Sequence, residues 1–346
     1  MNAAPLAAVL LLQFLGGIDA PVVTRDYLVA SQDPGILLSV RSKSTDSEVG
    51  RGGSPEVVLL VHGATLSSRP AFDPDRPDAS WADWMARRGY AVYLVDIRNY
   101  GGSTRGKAMD EPPDRNPAPS RAHEAVRDIG AVVDHLRARH GVSQVNLVGW
   151  SWGGTTAGYF ASLHPEKVRR LVLYAPIYSG RKEPAPYQAS GAYGYVPATA
   201  PGLRKSWDAV APVPEGAAPR DEGIVESVAA AIRMSDPTSG TRDPATARFP
   251  RGCLEDLHLA RIGRPLWSAS SITAGTLVIV GDHDSVAPLE HAEALMRDLT
   301  HARSPKLVVL KGATHFAQFE EGRSKLFEEV HAFLRDANRG SQALGR

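Results

Sequence analysis

Ser151 stands in Gly149-Trp150-Ser151-Trp152-Gly153, a spacing that acyl-transfer chemistry can use. The apolar run Val145-Asn146-Leu147-Val148 before it reads as a short buried strand, and residues 155–161 after it read as a helix. A serine at the apex of such a strand–turn–helix is forced into a strained backbone conformation. Side chains at 149 and 153 would collide with the neighbouring strand and helix, so glycine suits both places. The result is an exposed Oγ at a helix N-terminus, where backbone N–H groups and the helix dipole favour negative charge. A serine held this way is a candidate nucleophile. Taken alone, the pattern also fits a simple turn, so a base, an orienting acid and an oxyanion hole must come from elsewhere.

Each of the three has a candidate. The apolar strand Glu56 to Val61 ends in His62-Gly63-Ala64-Thr65. A glycine directly after a buried strand lets the backbone turn and present an N–H, so the amides of Ala64 and Trp152 are candidate oxyanion donors. Asp284 follows an apolar run at 276–280, and His315 follows another at 306–310. In a parallel sheet the loops after the strands emerge on one edge, so Ser151, Asp284 and His315 can converge. The chain order Ser, Asp, His is the one expected for this architecture. His62 reads as a structural hydrogen-bonder rather than the base. Asp96 and Arg98 read as an ion pair bracing the nearby turns rather than a catalytic pair.

The elements that must position these residues follow from periodicity and punctuation. Residues 22–30 and 35–41 read as two strands about the turn Asp33-Pro34-Gly35. Residues 42–55 and 69–77 read as loops. Ser80 can cap a helix over 81–86, and 90–95 is a further buried strand. Residues 110–119 are a loop. Val126, Ile129, Val132, Val133 and Leu136 mark a helix over 125–140 that Gly141 ends. Leu171 to Tyr174 is another strand. This alternation predicts an α/β protein with a mostly parallel central sheet and helices on both faces. From Ile177 to Thr273 the alternation stops. Prolines recur, Tyr187, Tyr193, Tyr195, Trp207 and Trp267 are scattered, and one helix is legible at 222–234. The stretch is too long for an ordinary loop, and ligands bind beyond the carboxyl ends of such strands. It reads as a lid at 177–273, inserted into a core of 21–176 and 274–338. Its aromatics either line an acyl pocket or form the lid's own core. Helices at 289–299 and 323–335 complete the chain.

Composition narrows the function class. Lys plus Arg total 39 against 38 Asp plus Glu, so no basic excess points to nucleic acid. The one cysteine, Cys253, allows no intramolecular disulfide and reads as a buried small hydrophobe. Leu6 to Leu15 is apolar but too short to span a bilayer. With Ile18-Asp19-Ala20 after it, residues 1–20 have the outline of a secretory signal. They lack a preceding Lys or Arg, and Pro21 follows the cut. Cytoplasmic and exported locations both stay open, and no stable membrane insertion is expected. No Gly-x-Gly-x-x-Gly follows the first strand and no metal-ligand spacing stands out, so neither cofactor nor metal is expected.

The chain resembles the α/β-hydrolase superfamily over roughly 57–175 and 276–334. The resemblance rests on His62-Gly63, Asp96-x-Arg98, Gly149 to Gly154, Gly281-Asp282-His283-Asp284 with Val286 and Pro288, and Gly312-Ala313-Thr314-His315-Phe316. Asn99 departs from it, since many relatives have glycine there. The resemblance implies that His315 moves the proton of Ser151, that Asp284 orients the imidazole, and that Trp152 and Ala64 hold the oxyanion. The Gly-x-x-Asp spacing favours Asp284 over Asp282. Serine at the elbow argues against dehalogenase and epoxide hydrolase relatives, which use aspartate. The expected substrate is a small-molecule ester or related acyl compound. Carbon–carbon bond hydrolysis and cofactor-free perhydrolysis share such a site, and a ligand-binding receptor is the non-enzyme alternative. Trp150 and Trp207 are expected to contact the substrate. Oligomeric state is not legible.

Overall fold

The computed structural model describes residues 21–45, 56–76, 78–179, 191–217 and 219–336. The signal-like segment, Tyr187 and most of the 42–55 loop lie outside the described residues. The described residues open with an antiparallel hairpin, β1 (Val22–Ala30) and β2 (Leu37–Thr45). The second strand runs four residues past its expected end at Arg41. β3 (Glu56–Val61) leads into α1 (Ser68–Phe72), a short helix in a stretch that its prolines mark as loop. α2 (Trp81–Ala86) follows, with Ser80 Oγ accepting the Asp83 amide at 2.9 Å as the cap. Next come β4 (Tyr90–Val95), α3 (Ala122–His140), β5 (Val145–Trp150), α4 (Trp152–Leu163) and β6 (Val168–Tyr174). Gly141 closes α3 in the left-handed region at φ 62°.

Between β6 and β9 the chain makes a long crossover. It holds β7 (Tyr193–Pro197), α5 (Ala200–Val210), α6 (Glu222–Met234), β8 (Thr246–Pro250) and α7 (Gly252–Arg261). β7 and β8 pair antiparallel as a separate two-stranded sheet, which the sequence pattern does not signal. The chain then closes with β9 (Gly275–Gly281), α8 (Leu289–Asp298), β10 (Arg303–Leu310) and α9 (Arg323–Asp336).

Among the described residues the main sheet has eight strands in the order β1-β2-β4-β3-β5-β6-β9-β10. From β4 to β10 every pairing is parallel. β4, β5 and β9 are buried along their whole length, which requires cover on both faces. α3 packs on α4. α2 and α9 meet through the stacked rings of Trp81 and Phe327, 4.8 Å apart. Because β3, β5, β9 and β10 run the same way, the loops carrying His62, Ser151, Asp284 and His315 leave the sheet on one edge.

Candidate active site

The elbow after β5 shows why those residue types are there. Ser151 lies at φ 59°, ψ −123°, a conformation that L side chains rarely adopt. Its amide donates to the Tyr174 carbonyl at 2.8 Å, which ties the apex to the end of β6. A Cβ at 153 would run into the carbonyl oxygens of Val61 and His62, and one at 149 into the carbonyl of Gly153. Glycine at both is what lets the turn close.

The three predicted side chains meet. Ser151 Oγ lies 2.9 Å from His315 Nε2, and His315 Nδ1 lies 2.8 Å from Asp284 Oδ2. Asp284 Oδ1 also accepts the amides of Val286 at 3.0 Å and Ala287 at 2.7 Å. With a carboxylate at Nδ1, that nitrogen carries the proton and Nε2 faces the serine as an acceptor. All three are nearly enclosed, at 5, 5 and 3% exposure for Ser151, Asp284 and His315. Asp282, the rival acid, instead accepts the Gly312 amide at 2.8 Å. His283 and His301 sit at the surface, as expected.

The His315 loop is fixed through its own backbone. Its carbonyl accepts the Trp150 indole N–H at 3.1 Å and the Tyr174 hydroxyl at 3.0 Å. One residue earlier, the Thr314 hydroxyl donates to Glu320, whose carboxyl burial pushes above the usual range. Trp150 packs on Tyr174, His315, Phe316 and Phe319. Trp207 stacks on Phe316 and Phe319, at 4.6 and 5.0 Å. Both tryptophans, expected to contact the substrate, are therefore wedged around the histidine loop. Trp267 packs on Tyr178 and fills the space beside Gly158, while Tyr193 and Tyr195 contact each other. A cavity of about 350 Å³ opens elsewhere, between Arg41, Ser68, Asp96 and Met234. Its Ser68 hydroxyl meets the Asp96 carboxylate but no histidine lines it, so the chemistry argues for Ser151.

The other side of the serine is built from the β3 loop. Gly63 lies so close that a Cβ there would sit 3.2 Å from Ser151 Cβ. His62 is fully buried, with Nε2 accepting the Ile97 amide at 3.1 Å and Nδ1 2.8 Å from the Gly63 carbonyl. One ring nitrogen thus accepts and the other donates, the pattern of a neutral imidazole. Burial lowers its pKa in the same sense. The structural reading of His62 fits this geometry. Trp152 is the first residue of α4, where amides have no intrahelical acceptor. Its indole N–H donates to Asp256 Oδ2 at 3.1 Å. The Ala64 carbonyl accepts the Tyr100 hydroxyl at 2.6 Å, and the Cys253 sulfur lies 3.5 Å from it and 3.1 Å from the Pro250 carbonyl. Cys253 is buried as expected, and burial pushes its thiol up to about 12. Asp256, Tyr100 and Glu320 also belong to this site, and no sequence motif marks them.

Asp96 and Arg98 do not pair. Asp96 accepts the Ser68 amide and hydroxyl and the Gly102 amide. Arg98 forks onto Asp128 of α3 at 2.6 and 2.9 Å and reaches Asp33 at 2.6 Å. The bracing role holds, but between different partners, because the Asp96 carboxylate is engaged by Ser68 at the start of α1 and by the Gly102 amide. Asn99 takes the left-handed region at φ 69°, which explains why glycine is favoured in that turn. Its side chain binds the Ser120 hydroxyl and the Gly106 amide. Among the described residues no cluster of three metal-ligating side chains occurs, and no helix is long and apolar enough to cross a membrane.

A parallel sheet with a serine elbow between β5 and α4 is the architecture of an α/β hydrolase. The family model for the alpha/beta hydrolase fold matches residues 56–217, and the chain belongs to the α/β-hydrolase superfamily. The chain is similar to a 2-hydroxymuconate semialdehyde hydrolase of Pseudomonas putida, 29% identical over 81% of this chain and 87% of that protein. It is also similar to epoxide hydrolase 2 of Siraitia grosvenorii, 32% identical over 33% of this chain. That match spans about a third of the relative, 34% of its length. An esterase from Exiguobacterium antarcticum superposes with a TM-score of 0.59 at 18% identity, covering 90% of this chain and 100% of that one. At that identity the likeness shows the fold alone.

Proposed function

We propose that this chain is a serine hydrolase that cleaves a carboxylic ester or related acyl bond through a covalent acyl-enzyme. The observation that carries this reading is the hydrogen-bonded relay from Ser151 Oγ through His315 to Asp284, at 2.9 and 2.8 Å. His315 Nε2 takes the hydroxyl proton as Ser151 Oγ attacks the acyl carbon. Asp284 holds the imidazole tautomer and stabilises the imidazolium. The tetrahedral oxyanion faces the amides of Ala64 and Trp152, an interaction worth about 3–4 kcal/mol per donor. The imidazolium then gives its proton to the leaving alcohol, and the acyl group stays on Ser151. Water, deprotonated by His315, releases the acid. The 177–273 stretch serves as the lid over this site. Serine at position 151 supports acyl chemistry over epoxide opening, although some relatives are epoxide hydrolases.

The test is hydrolysis of p-nitrophenyl esters across acyl lengths, with wild type set against Ser151→Ala. The wild type turns over at least one ester, and Ser151→Ala loses roughly a million-fold at the chemical step, down to background. A variant that kept the wild-type rate would sink the reading. A second reading rests on the semialdehyde hydrolase relative, matched over most of its length. There the same serine cleaves a carbon–carbon bond beside a ketone. It is favoured if the wild type is inert on every ester yet hydrolyses a vinylogous diketone in a Ser151-dependent manner.

A further inference from the structure

Helix α7 reaches both halves of the candidate oxyanion hole. Its Asp256 is 1% exposed and accepts three donors: the Trp152 indole N–H at 3.1 Å, the Ala122 amide at 2.6 Å and Arg121 Nε at 2.8 Å. Its Cys253 sulfur lies 3.5 Å from the Ala64 carbonyl oxygen, which the Tyr100 hydroxyl also engages, and 3.1 Å from the Pro250 carbonyl oxygen. Tyr100 in turn packs on Trp152, with ring centroids 6.2 Å apart. Gly252 lets the helix start come this close, because a Cβ there would run into the Pro119 carbonyl. The Gly252 amide donates to that same carbonyl at 3.0 Å. One ten-residue helix on the β6–β9 crossover is therefore fastened to the loop after β3, the start of α3 and the start of α4.

We propose that Asp256 is a positioning residue of the oxyanion hole, acting through the Trp152 indole. This rests on the acyl-transfer reading above. The amide that receives the oxyanion belongs to the Ser151–Trp152 peptide. Holding the indole fixes the Trp152 side chain on α7, and with it the direction of that amide. A buried carboxylate with three donors cannot shift without leaving one unpaired, so the anchor is stiff. The oxyanion forms only as the tetrahedral adduct is reached and is absent from bound substrate, so loosening its donor lowers kcat and leaves KM nearly alone. The crossover then contributes to catalysis itself as well as covering the site.

The experiment compares kcat and KM for Asp256→Asn, Trp152→Phe and the double variant, on the ester that wild type turns over best. Trp152→Phe keeps the backbone amide and an aromatic ring but removes the indole N–H together with the five-membered ring, so its melting temperature is read beside its kcat. Each single variant is expected to lose about 10- to 100-fold in kcat, part of what deleting a whole donor costs, with KM within about twofold. The double variant should be no worse than the poorer single, since both break one link. Labelling of Ser151 by a fluorophosphonate, whose phosphoryl oxygen enters the same hole, should slow in parallel. Glu255→Gln, which removes only a second contact to Arg121, should keep kcat within about twofold. An unchanged kcat in Trp152→Phe, or losses that multiply in the double variant, would overturn the proposal. If Asp256→Asn fails to fold, replacing Trp152 by β-(3-benzothienyl)alanine, which keeps both rings and lacks only the N–H, decides it. Full activity in Ser151→Ala would sink the acyl reading instead, and an inert wild type leaves the labelling rates to make the comparison.

Discussion

Asp284 receives two backbone amides on Oδ1 and the His315 ring on Oδ2. The backbone bonds set where the carboxylate points, whatever the charge of the group. Asp284→Asn should therefore keep the fold, because the amide oxygen still accepts from Val286 and Ala287. Its NH2 would face His315 Nδ1, leave that nitrogen unprotonated, and place the proton on Nε2. An imidazole so arranged cannot take the proton of Ser151. Ester hydrolysis should lose on the order of 10⁴ in kcat with the melting temperature nearly unchanged. Asp282→Asn touches the Gly312 amide and the surface His283 ring, neither in the relay, and should leave kcat within about twofold. Steady-state rates on the two variants decide between the acids, and equal losses in both would mean that Asp284 is not the orienting group.

The strand–turn–helix around Ser151 depends on backbone approach more than on side-chain contact. Gly153 lies against the carbonyls of Val61 and His62, which belong to the strand carrying the oxyanion loop. Gly153→Ala forces β3 and α4 apart, at a cost of about 1–3 kcal/mol or more. A melting temperature lowered by several degrees, together with a fall in kcat, is the expected result. An unchanged melt would mean that the turn has room the structure does not show. This element was legible because its constraints are local: two glycines, an apolar run before and a helical run after. The strands at 56–61 and 90–95 and the helix ended by Gly141 were legible for the same reason. What escaped was decided at a distance. α1 forms although Pro70 sits inside it, since a proline in the first turn gives up an amide that had no acceptor. β7 finds β8 some fifty residues later with no hairpin turn between them. Arg98 pairs with Asp128 because α3 brings it near, and Asp256 has no signature beyond being an acid on a helix.

Across the whole molecule, burial shifts opposing sets of groups, and their balance sets how stability responds to acid. His62, His135, His140 and His331 all have pKa values below the ordinary one, with burial the first cause in each. Arg139 adds to the effect at His135 and His140, and Arg335 and Arg88 add to it at His331, which is lowered to about 4. In the unfolded chain these rings protonate near pH 6.5. Below that pH the unfolded state takes up protons that the folded state refuses, so stability falls as pH falls. The loss from His331 levels off below about pH 4. Asp256 and Glu320, raised by burial, work the other way. The fold keeps their protons where the unfolded chain releases them, so their share of stability grows as pH falls toward about 4. Four proton acceptors outnumber two, so the melting temperature should decline steadily from pH 7.5 to pH 5. Asp236, held low despite its burial by the Arg248 guanidinium and by the backbone amides of Arg248 and Thr238, adds its own loss only below about pH 4. His331→Gln keeps an acceptor for the Tyr90 hydroxyl, 3.0 Å away, and removes one titrating ring. It should flatten the decline between pH 6.5 and 4. Calorimetric melts of both proteins across that range are the measurement. A wild-type melting temperature that rose on acidification would mean that the buried carboxyls outweigh the histidines.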